Sequence, residues 1–289
     1  MRQVVVDQLT QASIYALVGV GFVVVFRATR LVNFAQGSIV LVGGLLGVDV
    51  GQRLGGNVVE SLLVLLIVAG VLGAALYLLL LRPMLGADHL TLLMASIAIS
   101  SILGGVADLI WGVNTRYSSL RFPGGAIHIP GGVRYSWTSL CIVGVALVII
   151  AGVGAMIRWT RVGLATQAAS HSSVLATYRG VRVNAICALM WGVAAATGAV
   201  AGVLYSIQSG VDQSTVSLLG FGVFPAIIVG GLDSIAGVVL GSLILAEIQG
   251  VVVFYIGADA SVPIGYAILL LFLLIRPTGI FGKQEIVRV

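Results

Sequence analysis

Glu247 lies near the middle of an apolar run, residues 236–256, and is the most deeply embedded acid in the chain. A carboxylate at that depth of a membrane is costly, so it must face protein or water. Two kinds of role fit: a pathway or coupling residue, such as a proton or ion site, or a structural one, as a member of a buried pair or a neutral, hydrogen-bonded carboxyl at a subunit interface. Asn33 and Gln36 flank Phe34 at the start of another run, 32–50. Amides there either line a pore or cap a helix start. Asp49 and Asp108 fall within a turn of the ends of their runs and read as interfacial acids. Catalysis has no footing. The chain holds no Gly-x-Ser-x-Gly, His-Glu-x-x-His or Walker A string. Lys283, in Gly279-Ile-Phe-Gly-Lys, lacks both the glycine spacing and the following Ser or Thr. His89, His128 and His171 are too scattered to share a metal. Cys141 and Cys187 lie in separate apolar runs, near opposite membrane faces, so neither a disulfide nor a zinc site is expected.

The other chemistry-bearing stretch is Arg158 to Asn184, the one long polar segment in the second half of the chain. It carries Arg158, Arg161, Arg179 and Arg182 and no acid. Leu164, Ala168, His171, Leu175 and Tyr178 recur at spacings of four, three, four and three, which predicts a single helix face, with Gly163 and Gly180 as its ends. Two readings stand side by side. One is a cytoplasmic loop made basic by the positive-inside rule. The other is a short helix that docks on a soluble partner.

These residues are positioned by apolar elements. The chain is 59% hydrophobic and 9% charged, with a mean hydropathy of +1.15, which excludes a soluble globular protein. The expected fold is all-α and polytopic. Apolar runs fall at about 8–26, 32–50, 61–81, 91–111, 137–157, 185–207, 236–256 and 262–276, with a shorter one at 218–231. The short run holds Gly220, Gly222 and Pro225 and reads as a broken helix or half-span. That gives about eight spans and one short one, in a single domain over 1–289. The N-terminus lacks the cleavage site of a signal peptide, so its apolar run reads as part of the first span. The net charge of +5 is spread over loops rather than clustered with aromatic residues, and no nucleic acid is implied.

The arginine count orients the chain. The loop 158–184 and the tail with Arg276, Lys283 and Arg288 are expected inside, and the N-terminus outside. The loop 112–136 departs from the rule, since it carries Arg116, Arg121 and Arg134 yet falls outside. It holds two Pro-Gly-Gly turns around Ala126-Ile-His-Ile, the pattern of a hairpin-like excursion. It is either a loose connector or a docking surface for an external partner. Gly43, Gly47, Gly51 and Gly55, and the pairs Gly198/Gly202 and Gly237/Gly241, predict close helix packing. Val40-Leu-Val-Gly-Gly-Leu and Ile227-Ile-Val-Gly-Gly-Leu form a short echo in oppositely directed segments, as an inverted repeat would.

Several strings together resemble the permease subunits of branched-chain amino acid ABC transporters, of the shorter permease type. They are Ser13-Ile-Tyr-Ala-Leu, Asn33-Phe-Ala-Gln-Gly, Thr160-Arg-Val-Gly, Gly180-Val-Arg-Val-Asn, Val229-Gly-Gly-Leu-Asp-Ser-Ile-Ala-Gly and Arg276-Pro-Thr-Gly-Ile-Phe-Gly. The family's histidine and glutamate in the second-span motif are Gln36 and Ser38 here, and its acids in the central loop are Ser172 and Val174. The resemblance implies a type II ABC importer permease in a bacterial inner membrane. It would pair with a second homologous permease, two cytoplasmic ATPases carrying ATP and Mg, and an extracytoplasmic binding protein that delivers branched-chain amino acids or a related small solute. The chain itself would hold no cofactor. The implied coupling residues are Arg161, Gly163, His171, Ser172, Ser173, Leu175, Tyr178, Arg179 and Gly180. Asn33, Phe34, Gln36 and Glu247 are expected on the translocation pathway, and Arg116, Arg121 and Arg134 at the binding-protein dock. An ion-coupled secondary transporter using Glu247 is the alternative.

Overall fold

A computed structural model describes residues 2–84, 86–129, 133–276 and 279–281. Lys283 and Arg288, the Pro130-Gly-Gly turn and residues 277–278 of the C-terminal signature lie outside the described residues. The first half contains helix α1 (Arg2–Thr29), α2 (Gln36–Arg53), α3 (Val58–Leu76) and α4 (His89–Trp111). A π turn, Tyr77–Leu81, and a 3-10 turn, Arg82–Met84, extend α3. Strands β1 (Ala126–Ile129) and β2 (Val133–Ser136) follow, then α5 (Trp137–Trp159), α6 (Arg161–His171) and α7 (Ser173–Tyr178). The second half is α8 (Val183–Gln208), α9 (Gln213–Gly230), α10 (Ile235–Tyr255) and α11 (Ser261–Ile275).

Among the described residues, seven helices are long and apolar enough to cross a membrane. The chain is thus an all-α, multi-pass membrane protein of the expected class. Helices α2 and α9, at 18 residues each, are about 27 Å long and run between the same two faces. One face gathers the start of α1, the α2–α3 turn, the hairpin and the α8–α9 turn. It is stitched by Gln3 Nε2 to Arg134 O (2.8 Å), Arg121 N to Gly56 O (3.1 Å) and Arg116 N to Val211 O (3.0 Å). The opposite face gathers the end of α1, α6, α7 and the α9–α10 turn, joined by Arg30 to Asp233 and by Cys187 Sγ to Ala28 O.

Helices α1 and α8 are the centre, with 83% and 78% of their most apolar windows buried, against 22% for α4 and α5. The glycines explain how α2 reaches α8. A Cβ on Gly202 would run into the carbonyl of Val40, and one on Gly43 into the backbone of Ala199. Only glycine lets these two backbones approach so closely. Gly230, Gly237 and Gly241 do the same between α9 and α10. Helices α2 and α4 run parallel in constant register. Phe34 N meets Ser96 Oγ (3.3 Å), Ser38 meets Ser100 (2.8 Å) and Trp111 Nε1 donates to Asp49 (2.6 Å), each pair 62 residues apart.

Three expectations need correction. The 218–231 run is not broken: α9 extends back to Gln213 and passes through Pro225 without interruption. The face Leu164 to Tyr178 belongs to two helices, because Ser172, at φ −161° and ψ 109°, ends α6 and starts α7. The echo between residues 40–45 and 227–232 carries no matching local structure. Gly43 and Gly44 sit inside α2, whereas Gly230 ends α9 and Gly231 turns out of it at φ 101°. The hairpin appears as expected, with Ala126 opposite Ser136 and Ile127 opposite Tyr135.

Candidate coupling face and permeation wall

The polar stretch between α5 and α8 folds back under the bundle. Helix α5 ends at Trp159, and Thr160, in extended conformation, redirects the chain. Gly163 then lies so close to α5 that a Cβ would overlap the Ile157 carbonyl. Ser172 caps α7 by accepting from Leu175 N at 3.2 Å. The end of α7 is a Schellman turn: Val181 N donates to Ala176 O (3.0 Å) and Gly180 N to Thr177 O (2.9 Å). Gly180 takes the left-handed conformation that this turn demands, φ 82°.

The two short helices bury their small residues and expose their large ones. Gly163, Thr166, Ala169 and Ala176 are buried. Leu164, Val174, Leu175 and Tyr178 are 70%, 61%, 66% and 82% exposed, and Trp159 is 78% exposed. Large apolar side chains pointing outward, ringed by the exposed Arg161, Arg179 and Arg182, make a surface that a partner would cover. His171 and Ser173 are exposed beside it, and Ser172 is half-buried.

Behind this surface lies a cavity of about 1000 Å³, lined among others by Thr29, Arg30, His171, Ser172, Arg182 and Asn184. Arg30 holds a left-handed backbone, φ 56°, which is rare for a residue with a side chain. Its guanidinium pairs with Asp233 at 3.1 Å, and Arg27 Nε donates to the Asp233 carbonyl at 2.8 Å. The C-terminal segment closes the same corner, since Ile280 N donates to Val229 O (2.8 Å) and Phe281 N to Gly230 O (3.2 Å). Motifs far apart in sequence therefore meet at one end of the bundle.

The second candidate feature is the start of α2. Ala28 is level with Cys187 and Gln36 with Ala194, seven residues further along α8. The non-helical segment between α1 and α2 thus climbs about 10 Å into the bundle. Non-helical backbone at such depth persists only where protein covers it or it lines a polar cavity. Asn33 and Gln36 are buried. Asn33 Oδ1 accepts from Ala35 N at 3.1 Å, and Gln36 Nε2 donates to Ala194 O at 3.1 Å. Gln36 fills the space left by Gly21 and Gly198. Both amides hold the α2 start in place. Phe34 is the member of this trio that faces a cavity. It stacks on Phe224 (centroids 5.9 Å apart), which meets Phe22 edge-on at 6.1 Å. With Ser38, Ser100 and the exposed Phe221, these rings line a cavity of about 60 Å³. Glu247 is not part of that wall. It is half-buried on the exposed stripe of α10 and makes no hydrogen bond or ion pair among the described residues.

On the hairpin face the three arginines differ. Arg116 is committed inside the protein: it pairs with Asp49 at 2.9 Å, and Asp49 also accepts from Trp111 Nε1 at 2.6 Å. Asp49 is therefore a structural partner, not a bystander. Asp108 likewise accepts from the side-chain amide nitrogen of Gln213, at 2.8 Å to Oδ1. Arg121 and Arg134 have exposed side chains. The hairpin is tied down by Gln3 on the backbone of Arg134 and by Thr10 on the Tyr135 hydroxyl at 2.8 Å. Burial pushes the Tyr135 phenol up from its ordinary value. Among the described residues no three His, Cys, Asp or Glu gather as a metal site would need.

A family model described as the permease component of branched-chain amino acid transport systems matches residues 4–276. The high-affinity branched-chain amino acid transport system permease protein BraD of Pseudomonas aeruginosa is 29% identical, over 99% of this chain and 97% of that protein. LivH of Escherichia coli K12, a high-affinity permease protein of such a system, is 26% identical over 97% of this chain and 95% of its own length. The probable permease LivH of Methanocaldococcus jannaschii is 25% identical over 97% and 92%. The structure of PsaBC from Streptococcus pneumoniae in complex with Fab superposes with a TM-score of 0.50 at 14% identity, covering 96% of this chain and 92% of that one. That likeness concerns the fold alone.

Proposed function

Given that the chain belongs to the family of permease components of branched-chain amino acid transport systems, we propose how its parts divide the work of import. It is a transport subunit of an ABC system and not an enzyme, and it works with ATPase and binding-protein partners. Transport driven by partner ATPases replaces the ion-coupled reading of Glu247.

In this reading one membrane domain spans 1–289, pairs with a second homologous permease and meets two ATPases, which carry the ATP and Mg. The membrane is the bacterial inner membrane. The cargo is a branched-chain amino acid or a closely related solute. The face bearing 158–184 is cytoplasmic, and the face bearing 112–136 is extracytoplasmic, where the exposed Arg121 and Arg134 meet the binding protein. Four arginines in 158–184 and the absence of acids there support that orientation.

The observation that carries the reading is the outward face of α6 and α7. Leu164, Val174, Leu175 and Tyr178 are too exposed for a surface with no partner. ATPases seated there would push on α6. Gly163 transmits the push to the end of α5 by direct backbone contact, and Ser172 and Gly180 set the angle between the short helices. The translocation pathway passes Phe34, Ser38, Ser100 and Phe221, where hydroxyls and aromatic rings break an otherwise apolar surface. Asn33 and Gln36 support that wall from behind, and Glu247 faces the second permease, because a bare carboxylate is costly in lipid.

Leu175→Glu in the full complex tests this. Membrane insertion should be unchanged while ATP-driven uptake falls by more than an order of magnitude, as for the loss of a buried apolar anchor. Wild-type uptake from that variant removes the coupling role.

A further inference from the structure

Pro225 lies inside α9 and has no N–H. The acceptor it leaves without its helical donor is the carbonyl four residues back, that of Phe221. The Tyr266 hydroxyl of α11 donates to that carbonyl at 2.9 Å. We propose that Tyr266 is the latch of a proline hinge in α9, and that the hinge holds the Phe34–Phe224 aromatic pair closed across the permeation wall. The inference rests on the pathway reading given above.

The halves of α9 on either side of Pro225 are packed differently. Below it, Gly230 lies against Gly237, and the carbonyl of Ala226 lies against Gly241, so closely that no side chain would fit. Ala226 and Ile227 are buried there. That half moves only with α10. Above it, Gly220 faces Gly37 of α2, where a Cβ would meet the Gly37 Cα at 3.1 Å. Leu219 and Val223 are buried in this half too, but the approach at Gly220 is looser than the overlaps that a Cβ would meet at Gly230, Gly237 and Gly241, so this half has more room to tilt. Phe224 stands next to the hinge and stacks on Phe34, with Phe22 edge-on behind it. The cavity beside them, about 60 Å³, has room for a few waters and none for an amino acid. The wall is shut, and opening it requires Phe224 to leave Phe34.

Moving the upper half of α9 relative to α11 breaks the Tyr266 bond. A carbonyl left bare at membrane depth is unfavourable, so the latch biases α9 toward the closed wall. Tyr266 is therefore a positioning residue. It acts through the α9 backbone and touches neither cargo nor ring pair.

The test uses the assembled transporter with its binding protein, in vesicles. Cys141 and Cys187 are replaced by Ser and Ala, and Ser38→Cys reports access of a charged methanethiosulfonate to the wall. Tyr266→Phe should speed labelling of the cysteine at position 38 about fivefold, the scale of one net hydrogen bond. Pro225→Ala returns an N–H to the Phe221 carbonyl, so in that background Tyr266→Phe should change nothing. Phe224→Ala should speed labelling in every background. Equal effects of Tyr266→Phe with Pro225 intact and in the Pro225→Ala background, or no effect in either, overturn the latch. If Phe224→Ala exposes Ser38→Cys while Tyr266→Phe does not, the latch falls and the pathway reading stands. If no variant lets the reagent reach position 38, the pathway reading falls and takes the latch with it.

Discussion

Arg30 reaches Asp233 across 203 residues of sequence, closing a 3.1 Å ion pair from a left-handed backbone. The bond ties the end of α1 to the α9–α10 turn, and Arg30 lines the cavity behind α6 and α7. Two effects oppose each other at Arg30. The ion pair holds it in place, and the backbone conformation costs about 1 kcal/mol. Substitution separates them. Arg30→Gly and Arg30→Ala lose the same pair, but glycine relieves the strain. Arg30→Gly should therefore be more stable than Arg30→Ala by about 1 kcal/mol, the reverse of their order in a helix. Thermal unfolding in detergent measures it.

The Schellman turn after α7 depends on Gly180. Gly180→Ala must hold φ 82° with a Cβ, and should destabilise the turn by about 1 kcal/mol. Gly180→Asn should cost less, because Asn tolerates that region. Space is not the issue, as nothing lies within 4 Å of a Cβ there. The expected readout is uptake that ranks Gly above Asn above Ala, with unchanged protein levels. Gly163→Ala differs in kind: its Cβ strikes the Ile157 carbonyl, and uptake should be lost.

On the hairpin face, Arg116 and the pair Arg121 and Arg134 should separate cleanly. Arg116→Ala leaves Asp49 short of its cation, and its effect should couple to Asp49→Asn in a double-mutant cycle by about 0.5–1 kcal/mol, since both side chains are about 30% exposed. Arg121→Ala and Arg134→Ala should leave stability unchanged and weaken binding-protein capture, more at low salt than at high. Thermal unfolding in detergent reads the stabilities, and titration of labelled binding protein onto the reconstituted complex reads the capture.

Glu247→Gln removes the charge and keeps the shape. On the present account uptake survives at close to the wild-type level and stays insensitive to collapse of the proton gradient. Loss of uptake together with new sensitivity to the gradient would restore an ion-coupled role. Uptake of radiolabelled leucine into vesicles, with and without a protonophore, distinguishes the two.

Much of this fold was legible because lipid imposes simple rules on composition. The apolar runs mark the helices to within a few residues, and two Pro-Gly-Gly turns mark the hairpin. Most failures share a cause, which is that a distant residue repairs or redirects a local signal; the division at Ser172 is a local cap that the spacing hides. Pro225 reads as a break because its missing N–H is visible in sequence, whereas Tyr266, which meets the stranded carbonyl, lies 45 residues beyond Phe221. The spacing from Leu164 to Tyr178 runs through Ser172 without a gap, so one helix is read where a cap divides two. Arg116 resembles a free surface arginine until α2 brings Asp49 beside it. The register of 62 between α2 and α4, which places Asp49 beside Trp111 at the end of α4, follows from packing and from no pattern in either helix. The exposed face of α6 and α7 was the better-signalled part of the site, since its large apolar residues were already out of place in a polar loop.

Site-specific photo-crosslinking from α7 tests the central claim most directly. A benzophenone side chain placed at Leu175 or Tyr178, in vesicles holding the whole transporter, should capture an ATPase subunit. The same group at Tyr117, exposed on the hairpin face, should capture none. ATPase adducts from Tyr117, or none from either α7 position while the complex remains active, would contradict the assignment of α6 and α7 as the coupling face.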